Sequence, residues 1–278
     1  MHIGISQREI SLGKAALATA NVFYGHAKHS IKRLFRAKLP ATSEMSAIAR
    51  LLHQNGYAVL PSYYNTSDCA RGREEIDRLI EAQPGAVQRF GQGSDCRVYG
   101  AEHASSMAAH FHCDGLMLGV GKAYRRGDLV NFSTLAARIN AVPGNLGSGQ
   151  GWHRDAFHFQ YKAMIYLSDV GPENGPFEVI QGSHCFSRLL LDTIVGRLDK
   201  PPRSRITTAQ IQRLLAASPA RARAFPAPCG TVILFDSSMI HRGMPILVGT
   251  RYALTNYYYP PESVGADLYN EFAPFATA

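Results

Sequence analysis

Two histidines and one aspartate, carried by segments far apart in the chain, constrain the fold most strongly. His153 and Asp155 lie two positions apart, and His241 lies far downstream. Because a strand points alternate side chains to one face, His153 and Asp155 would share a face. A second strand that brings His241 beside them would complete a two-histidine, one-carboxylate face with open positions, which suits non-haem Fe(II). The spacing therefore predicts a metal site at the ends of β-strands.

Chance occurrence of this pattern is the alternative, because the chain contains 11 His and 21 acidic residues. The surrounding sequence favours the metal site. Residues 161–167 follow the first two candidate ligands, residues 231–235 precede His241, and residues 252–259 follow Arg251. These runs are rich in β-branched and aromatic residues and are bounded by Gly or Pro, which is typical of strands. The candidate ligands therefore lie at predicted strand ends, with a guanidinium on a neighbouring strand.

Together these segments resemble the phytanoyl-CoA dioxygenase family of Fe(II)/2-oxoglutarate-dependent oxygenases. The resemblance covers roughly residues 45–260, and its motifs occur in the family's order with suitable gaps. The agreement of several separated motifs makes the resemblance specific. The matching segments are 56–61, 151–156, 174–176, 180–184, 230–243 and Arg251.

The resemblance implies a mainly β fold of the α+β type: a double-stranded β-helix, the jelly-roll or cupin-like barrel, with flanking helices. It implies that His153, Asp155 and His241 are the iron ligands and form the catalytic centre. It implies that Arg251 binds the distal carboxylate of 2-oxoglutarate, since a guanidinium can pair with a carboxylate through two hydrogen bonds. Asn140 matches a position where related enzymes place an amide near 2-oxoglutarate. The expected cofactors are Fe(II), the co-substrate 2-oxoglutarate and O₂.

Asp155 separates two branches of chemistry in this family. Halogenating members resemble the motif but carry a small residue at the carboxylate position, whereas this chain keeps the carboxylate. The resemblance therefore implies a 2-oxoglutarate-dependent dioxygenase that hydroxylates a small organic substrate and releases succinate and CO₂. Desaturation or ring closure in biosynthesis would use the same ligands and stays an alternative. A non-catalytic metal- or ligand-binding barrel is the other alternative, but such a barrel has no need of Arg251.

Basic residues concentrate in two segments, the first of them at the N-terminus. The chain has a formal net charge of +8, and residues 1–43 hold seven Lys or Arg against one acidic residue. We interpret residues 1–44 as a basic N-terminal extension with a helix, and residues 45–278 as the jelly-roll oxygenase domain. Three interpretations of the extension stay open: a helix on an anionic membrane surface, a helix packed on the barrel, or a mitochondrial transit peptide.

The second basic segment, residues 185–228, holds eight Lys or Arg against two acidic residues and interrupts the strand pattern. We interpret it as a helical insertion beside the barrel mouth and as a candidate lid. Its charge suggests an anionic substrate, and a solvated helical excursion is the alternative.

Composition excludes several classes of protein. Five Cys without a C-x-x-C pair argue against a disulfide framework or a zinc finger and for a reducing compartment. No apolar run approaches the ~18–20 residues that span a bilayer. The basic segments lack a nucleic-acid-binding motif, so nucleic acid is not an expected partner. We expect a cytoplasmic enzyme with a small-molecule substrate, and peripheral membrane contact through the N-terminal extension as an alternative; the sequence predicts no oligomeric state.

Overall fold

A computed structural model of the protein describes residues 12–34, 40–266 and 268. Within this part of the chain, ten strands form two antiparallel sheets. The larger sheet has the spatial order β1 (Tyr57–Leu60), β8 (Val232–Asp236), β5 (Tyr161–Tyr166), β10 (Thr250–Tyr259), β4 (Val130–Asn140), β3 (Asp95–Val98) and β2 (Gln88–Phe90). The smaller sheet has the order β7 (Ala222–Phe225), β6 (Phe177–Ile180) and β9 (His241–Gly243).

The two sheets share a buried apolar core. The ring of Phe177, on β6, lies 4.6 Å from the ring of Phe235, on β8, measured between centroids. The backbone N–H of Phe177 donates a 2.8 Å hydrogen bond to the hydroxyl oxygen of Tyr166, on β5. Two antiparallel sheets packed in this way, with helices outside, form a jelly-roll barrel. This confirms the predicted fold.

The two faces of strand β10 point to different parts of the structure, one to the barrel interior and the other to the helices. It lies at the centre of the larger sheet and pairs with β4 and β5. Alternate side chains point to opposite faces of a strand. The residues that face the barrel interior are Arg251, Ala253, Thr255 and Tyr257, whereas Tyr252, Leu254 and Tyr258 pack towards the helices. Both faces are therefore covered, which agrees with the six apolar or aromatic residues among the ten of this strand.

Seven helices accompany the sheets in the described residues: α1 (Leu12–Leu34), α2 (Ser43–Asn55), α3 (Thr66–Ala82), α4 (Ser106–His112), α5 (Gly115–Arg125), α6 (Phe186–Ile194) and α7 (Thr208–Ala217). Leu52 of α2, Ile76 of α3 and Met117 of α5 are fully buried in one cluster with Leu254 of β10. These helices therefore cover the outer face of the larger sheet. Polar N-cap side chains, which accept hydrogen bonds from the first turn, mark where several of them begin.

Helix α1, which belongs to the basic N-terminal extension, packs on α6. The rings of Phe23 and Phe186 meet edge to face with their centroids 5.9 Å apart. His26 is buried, and its Nε2 lies 3.2 Å from the carbonyl oxygen of His184. This packing agrees with the interpretation of the extension as a helix that lies against the barrel.

The outward face of α1 carries three exposed apolar side chains, Leu17, Tyr24 and Ile31. They follow one another at intervals of seven residues, so they form one line along the helix. Membrane contact stays a prediction. None of the helices in the described part of the chain is long and apolar enough to cross a bilayer. Residues 1–11 and 35–39 of the extension lie outside the described residues.

The predicted helical insertion, residues 185–228, contains α6 and α7 but ends in strand β7, which pairs with β6. Alternation of arginine and apolar residues in 221–225 was the available signal for this strand. The middle of the insertion is also hydrogen-bonded to the segment that carries His153. The N–H of Arg154 donates a 2.8 Å hydrogen bond to the carbonyl oxygen of Ser204, and the N–H of Ile206 donates a 3.1 Å hydrogen bond to the carbonyl oxygen of Trp152. A lid role for this segment stays a prediction.

Candidate active site

Backbone pairing brings the three predicted ligands together. His153 and His241 exchange two backbone hydrogen bonds, of 3.0 and 2.9 Å, and the N–H of Asp155 donates one of 3.0 Å to the carbonyl oxygen of Ser237. As a result, Nε2 of His153 lies 3.7 Å from Oδ1 of Asp155, and Nε2 of His241 lies 3.8 Å from Oδ2. The three ligating atoms all lie within 4.8 Å of one another. The site is therefore one cluster, built from β9, which carries His241, and from an irregular segment that pairs with it through the single bridge between His153 and His241.

Hydrogen bonds on the far side of each ring fix which nitrogen faces the cluster. Nδ1 of His153 lies 2.8 Å from the carbonyl oxygen of Gly151, and Nδ1 of His241 lies 2.8 Å from that of Met239. A carbonyl oxygen only accepts, so Nδ1 carries the proton in both rings. The lone pair of each Nε2 is then free to ligate a metal, and the ring orientation is held by the protein.

Electrostatics keep the three side chains in their ligating forms. Burial, together with the neighbouring His241, lowers the pKa of His153 to about 3. Burial also lowers the pKa of His241. Burial acts to raise the pKa of Asp155, but the positive charge of Lys162, with smaller contributions from the neighbouring histidine rings, outweighs it and holds this pKa below its usual range. At neutral pH the site therefore offers two neutral imidazoles and one carboxylate, the forms that bind metals.

Arg251 is a buried cation, 3% exposed, on the same interior face of the barrel. Its Nε and Nη1 are buried without a hydrogen-bond partner among the described residues. The carboxylate of Asp95 does not act as a partner of Arg251, because it pairs with Arg97, whose Nη2 lies 2.6 Å from Oδ2 of Asp95. Burial lowers the pKa of Arg251, but a guanidinium keeps its charge at neutral pH. An unpaired buried charge is unfavourable, so this position fits an anionic ligand.

A cavity of about 110 Å³ connects Arg251 with the three ligands. Its wall includes the apolar side chains of Leu135, Met164 and Phe177. One part of the wall offers metal-ligating atoms and another part offers an unpartnered guanidinium. This arrangement fits a metal ion together with a small dicarboxylate such as 2-oxoglutarate.

Two glycines allow the close packing around this cavity. A Cβ at Gly149, which has φ +82°, would collide with the ring of His153. A Cβ at Gly243 would lie 2.7 Å from Nη2 of Arg251 and 2.8 Å from the Cβ of Ser148. The Gly-rich loop before His153 is therefore packed directly against the metal ligand.

Asn140 does not line this cavity. It pairs with Thr250 in the β4–β10 ladder, and its Oδ1 accepts a 3.0 Å hydrogen bond from the Thr250 hydroxyl. Directly opposed residues share a face of the sheet, and that face is opposite to the one that Arg251 occupies. The structure thus brings together His153, Asp155, His241 and Arg251, and it places Asn140 elsewhere.

Three polar residues of the cavity, Arg97, Lys162 and Tyr257, were not predicted from the sequence. The sequence signal for one of them was the position of Lys162, which is the charged residue in the apolar run of β5. In the structure Lys162 is only 6% exposed. Its Nζ lies 2.7 Å from Oδ2 of Asp155 and 3.9 Å from the centroid of the Tyr257 ring.

A larger cavity, of about 550 Å³, lies beyond the segment 156–160. The acidic residue in its lining is Asp236, whose carboxylate already accepts hydrogen bonds from within the protein. The donors are the hydroxyl of Tyr124, at 2.7 Å, and the N–H of Ser238. Among the residues that the structure describes, His153, Asp155 and His241 are the only group of three that could hold a metal ion. The group that could hold a metal ion therefore lies in the smaller cavity.

Comparison with known proteins agrees with this geometry. Residues 52–247 match the sequence profile of the phytanoyl-CoA dioxygenase family. The chain is 22% identical over 226 residues to the ectoine dioxygenase of Stutzerimonas stutzeri (strain A1501), covering 75% of this chain and 74% of that protein. It is 24% identical over 207 residues to the L-proline trans-4-hydroxylase of Streptomyces griseoviridis, covering 68% of this chain and 76% of that protein.

Among solved structures, the chain is similar to the epimerase SnoN in complex with Fe3+, alpha ketoglutarate and nogalamycin RO. The TM-score is 0.59 at 19% identity, over 80% of this chain and 88% of SnoN. At this identity the likeness shows the fold. The family match extends over most of the chain and includes both segments that carry the ligand cluster. The chain therefore belongs to the phytanoyl-CoA dioxygenase family of Fe(II)/2-oxoglutarate-dependent oxygenases.

Proposed function

We propose that this protein is a dioxygenase that uses Fe(II), 2-oxoglutarate and O₂ to hydroxylate a small organic substrate, with release of succinate and CO₂. One observation carries the proposal: two neutral imidazoles and a carboxylate share a small cavity with a buried guanidinium that lacks a partner. When bound, iron and 2-oxoglutarate supply an oxidant that attacks a C–H bond, and the protein supplies positioning.

The roles of the residues follow from their atoms. His153 and His241 would hold Fe(II) through Nε2, and Asp155 would hold it through its carboxylate. Arg251 would bind the distal carboxylate of 2-oxoglutarate, which gives its orphaned N–H groups acceptors. The apolar wall around Met164 excludes water from the reacting groups.

The curated relatives support hydroxylation, because one is an ectoine dioxygenase and the other hydroxylates L-proline. A second candidate function arises because the chain also shares its fold with SnoK, a carbocyclase from nogalamycin biosynthesis (TM-score 0.56, 16% identity). In this second function, the same site would oxidise the substrate without adding a hydroxyl group, by desaturation or ring closure. Mass spectrometry of the product after reaction under ¹⁸O₂ separates the two, because only hydroxylation adds an oxygen atom.

The first test is anaerobic addition of Fe(II) and 2-oxoglutarate to metal-free protein, followed by visible absorption. We expect the charge-transfer band of an iron–2-oxoglutarate chelate in the wild type and a much weaker band in Arg251→Ala. Arg213→Ala, which removes an exposed arginine on α7, is the matched control and should behave as wild type. Metal uptake without the band in the wild type would reject the proposal and favour a non-catalytic metal-binding barrel.

A further inference from the structure

Lys162 is a buried cation that neither metal binding nor 2-oxoglutarate binding requires. It lies in β5, whose other residues are apolar or aromatic, and it faces the same cavity as the metal ligands. Its ammonium group donates a 2.7 Å hydrogen bond to Oδ2 of Asp155 and lies over the ring of Tyr257. Burying a lysine is unfavourable compared with burying an apolar side chain of similar size, so stability alone does not account for this residue.

The position of Lys162 separates it from Arg251. In the sheet, Lys162 lies directly opposite Tyr257 on β10, and Arg251 lies six residues earlier on the same strand. At ~3.3 Å per residue, the two backbone positions on β10 are about 20 Å apart. Arg251 and Lys162 therefore approach the cavity from different ends. The carboxylate group that binds Arg251 therefore leaves the ammonium group of Lys162 for a different anionic group.

Formal charges lead to the same conclusion. Arg97 is balanced by Asp95, with which it forms a 2.6 Å ion pair. Asp155 and Arg251 carry opposite charges, and Fe(II) and the dianion of 2-oxoglutarate also cancel. A site with these components alone would be neutral. Lys162 adds one positive charge, and a buried site of this kind favours an anionic partner.

We infer that Lys162 binds a carboxylate group of the primary substrate, so that the enzyme acts on a small carboxylic acid. This inference rests on the proposed function. Asp155 accepts one of the three N–H donors of the ammonium group, and a substrate carboxylate can accept another. The ring face of Tyr257 stabilises the cation without neutralising it. Lys162 thus fixes one end of the substrate beside the metal ligands.

The test uses full-length protein loaded with Zn(II) and 2-oxoglutarate, so that ligands bind without turnover. Ligand-observed NMR measures the dissociation constants of three acids and their neutral amides: acetate and acetamide, benzoate and benzamide, cyclohexanecarboxylate and cyclohexanecarboxamide. We expect the wild type to bind at least one acid about tenfold more tightly than its amide, which corresponds to about 1.4 kcal/mol. Lys162→Met should lose this preference, and Lys162→Arg should retain it.

Controls isolate the ammonium group from other causes. Lys122→Met removes a lysine that pairs with Asp128 at the surface of α5, and it should keep the wild-type preference. Zinc content and circular dichroism establish that each variant is folded and loaded. A wild type that binds every acid no better than its amide overturns the inference, and so does a preference that persists in Lys162→Met. Failure of the proposed function is distinct, because it would appear as loss of the Fe(II)–2-oxoglutarate band in the wild type.

Discussion

Gly243 lies directly against the guanidinium of Arg251, and a Cβ added there would come within 2.7 Å of Nη2. The backbone of Gly243 is compatible with alanine, so the conflict is steric. We predict that Gly243→Ala displaces Arg251 and weakens binding of 2-oxoglutarate about tenfold, or about 1.4 kcal/mol, with metal affinity preserved. Titration of 2-oxoglutarate into Fe(II)-loaded protein measures this change.

Gly85→Ala is the matched control for this prediction, because a Cβ at Gly85 meets nothing within 4 Å. It should leave the affinity for 2-oxoglutarate as in the wild type. Equal affinities in wild type, Gly243→Ala and Gly85→Ala would contradict a role for Arg251 as the clamp of the co-substrate.

Arg251 itself gives a prediction about stability. Because Nε and Nη1 are buried without partners, Arg251→Met should leave the ligand-free protein as stable as the wild type or more stable. Addition of 2-oxoglutarate with metal should stabilise only the wild type, by about 3 kcal/mol at a hundredfold excess over the dissociation constant. Chemical denaturation with and without 2-oxoglutarate checks both parts. A variant that still gains stability from 2-oxoglutarate would show that another group binds the distal carboxylate.

The lowered pKa of His153 predicts how stability of the metal-free protein depends on pH. In the folded chain this pKa is about 3, against an ordinary value of 6.5. Between these values the unfolded chain binds more protons, so stability falls as pH decreases below 6.5. At pH 5 the contribution of this one histidine is a loss of about 2 kcal/mol relative to pH 7 or above.

The measurement is urea denaturation at pH 7 and pH 5 in the presence of a chelator. His153→Asn removes the titrating group, so it should lose about 2 kcal/mol less than the wild type over this interval. His103→Asn changes an exposed histidine outside the cluster and serves as the control. Identical pH dependence in the wild type and His153→Asn would contradict the lowered pKa.

The fold and the ligand cluster were predictable because both depend on local sequence. The spacing of His153 and Asp155 predicts that both can reach one metal ion, and the apolar runs beside His241 predict strands. The expected strand at His153 is reduced to a single bridge with His241, and Asp155 lies in a bend. The side chains around the cluster were less accessible to sequence reasoning. Lys162 reaches Asp155 only because β5 turns its face to the barrel interior, and the register of β5 with its neighbours is not encoded in its own segment.

Asn140 illustrates the same limit. The family resemblance suggested a place beside 2-oxoglutarate for its side chain, but the strand parity decides where that side chain points. Because Arg251 lies opposite Ile139, the neighbouring pair of Asn140 and Thr250 faces the other side of the sheet. A shift of one residue in that register would have exchanged the two faces.

The N-terminal helix α1 gives the last prediction. Its exposed line of Leu17, Tyr24 and Ile31 is accompanied by lysines, and the helix has no Asp or Glu. An apolar face beside basic residues binds anionic bilayers through both burial and charge. We predict that the protein sediments with vesicles of phosphatidylcholine and phosphatidylglycerol, and does so less at high salt or with phosphatidylcholine alone.

Replacement of Leu17, Tyr24 and Ile31 by serine should abolish this sedimentation, because it removes the apolar area that enters the bilayer. The matched control replaces three other exposed apolar residues, Leu146, Leu247 and Val248, by serine and should sediment as the wild type does. Equal sedimentation of the two triple variants would mean that charge alone drives any binding. A wild type that stays in solution with every vesicle would leave α1 as a helix whose contacts are those with α6, such as Phe23 with Phe186.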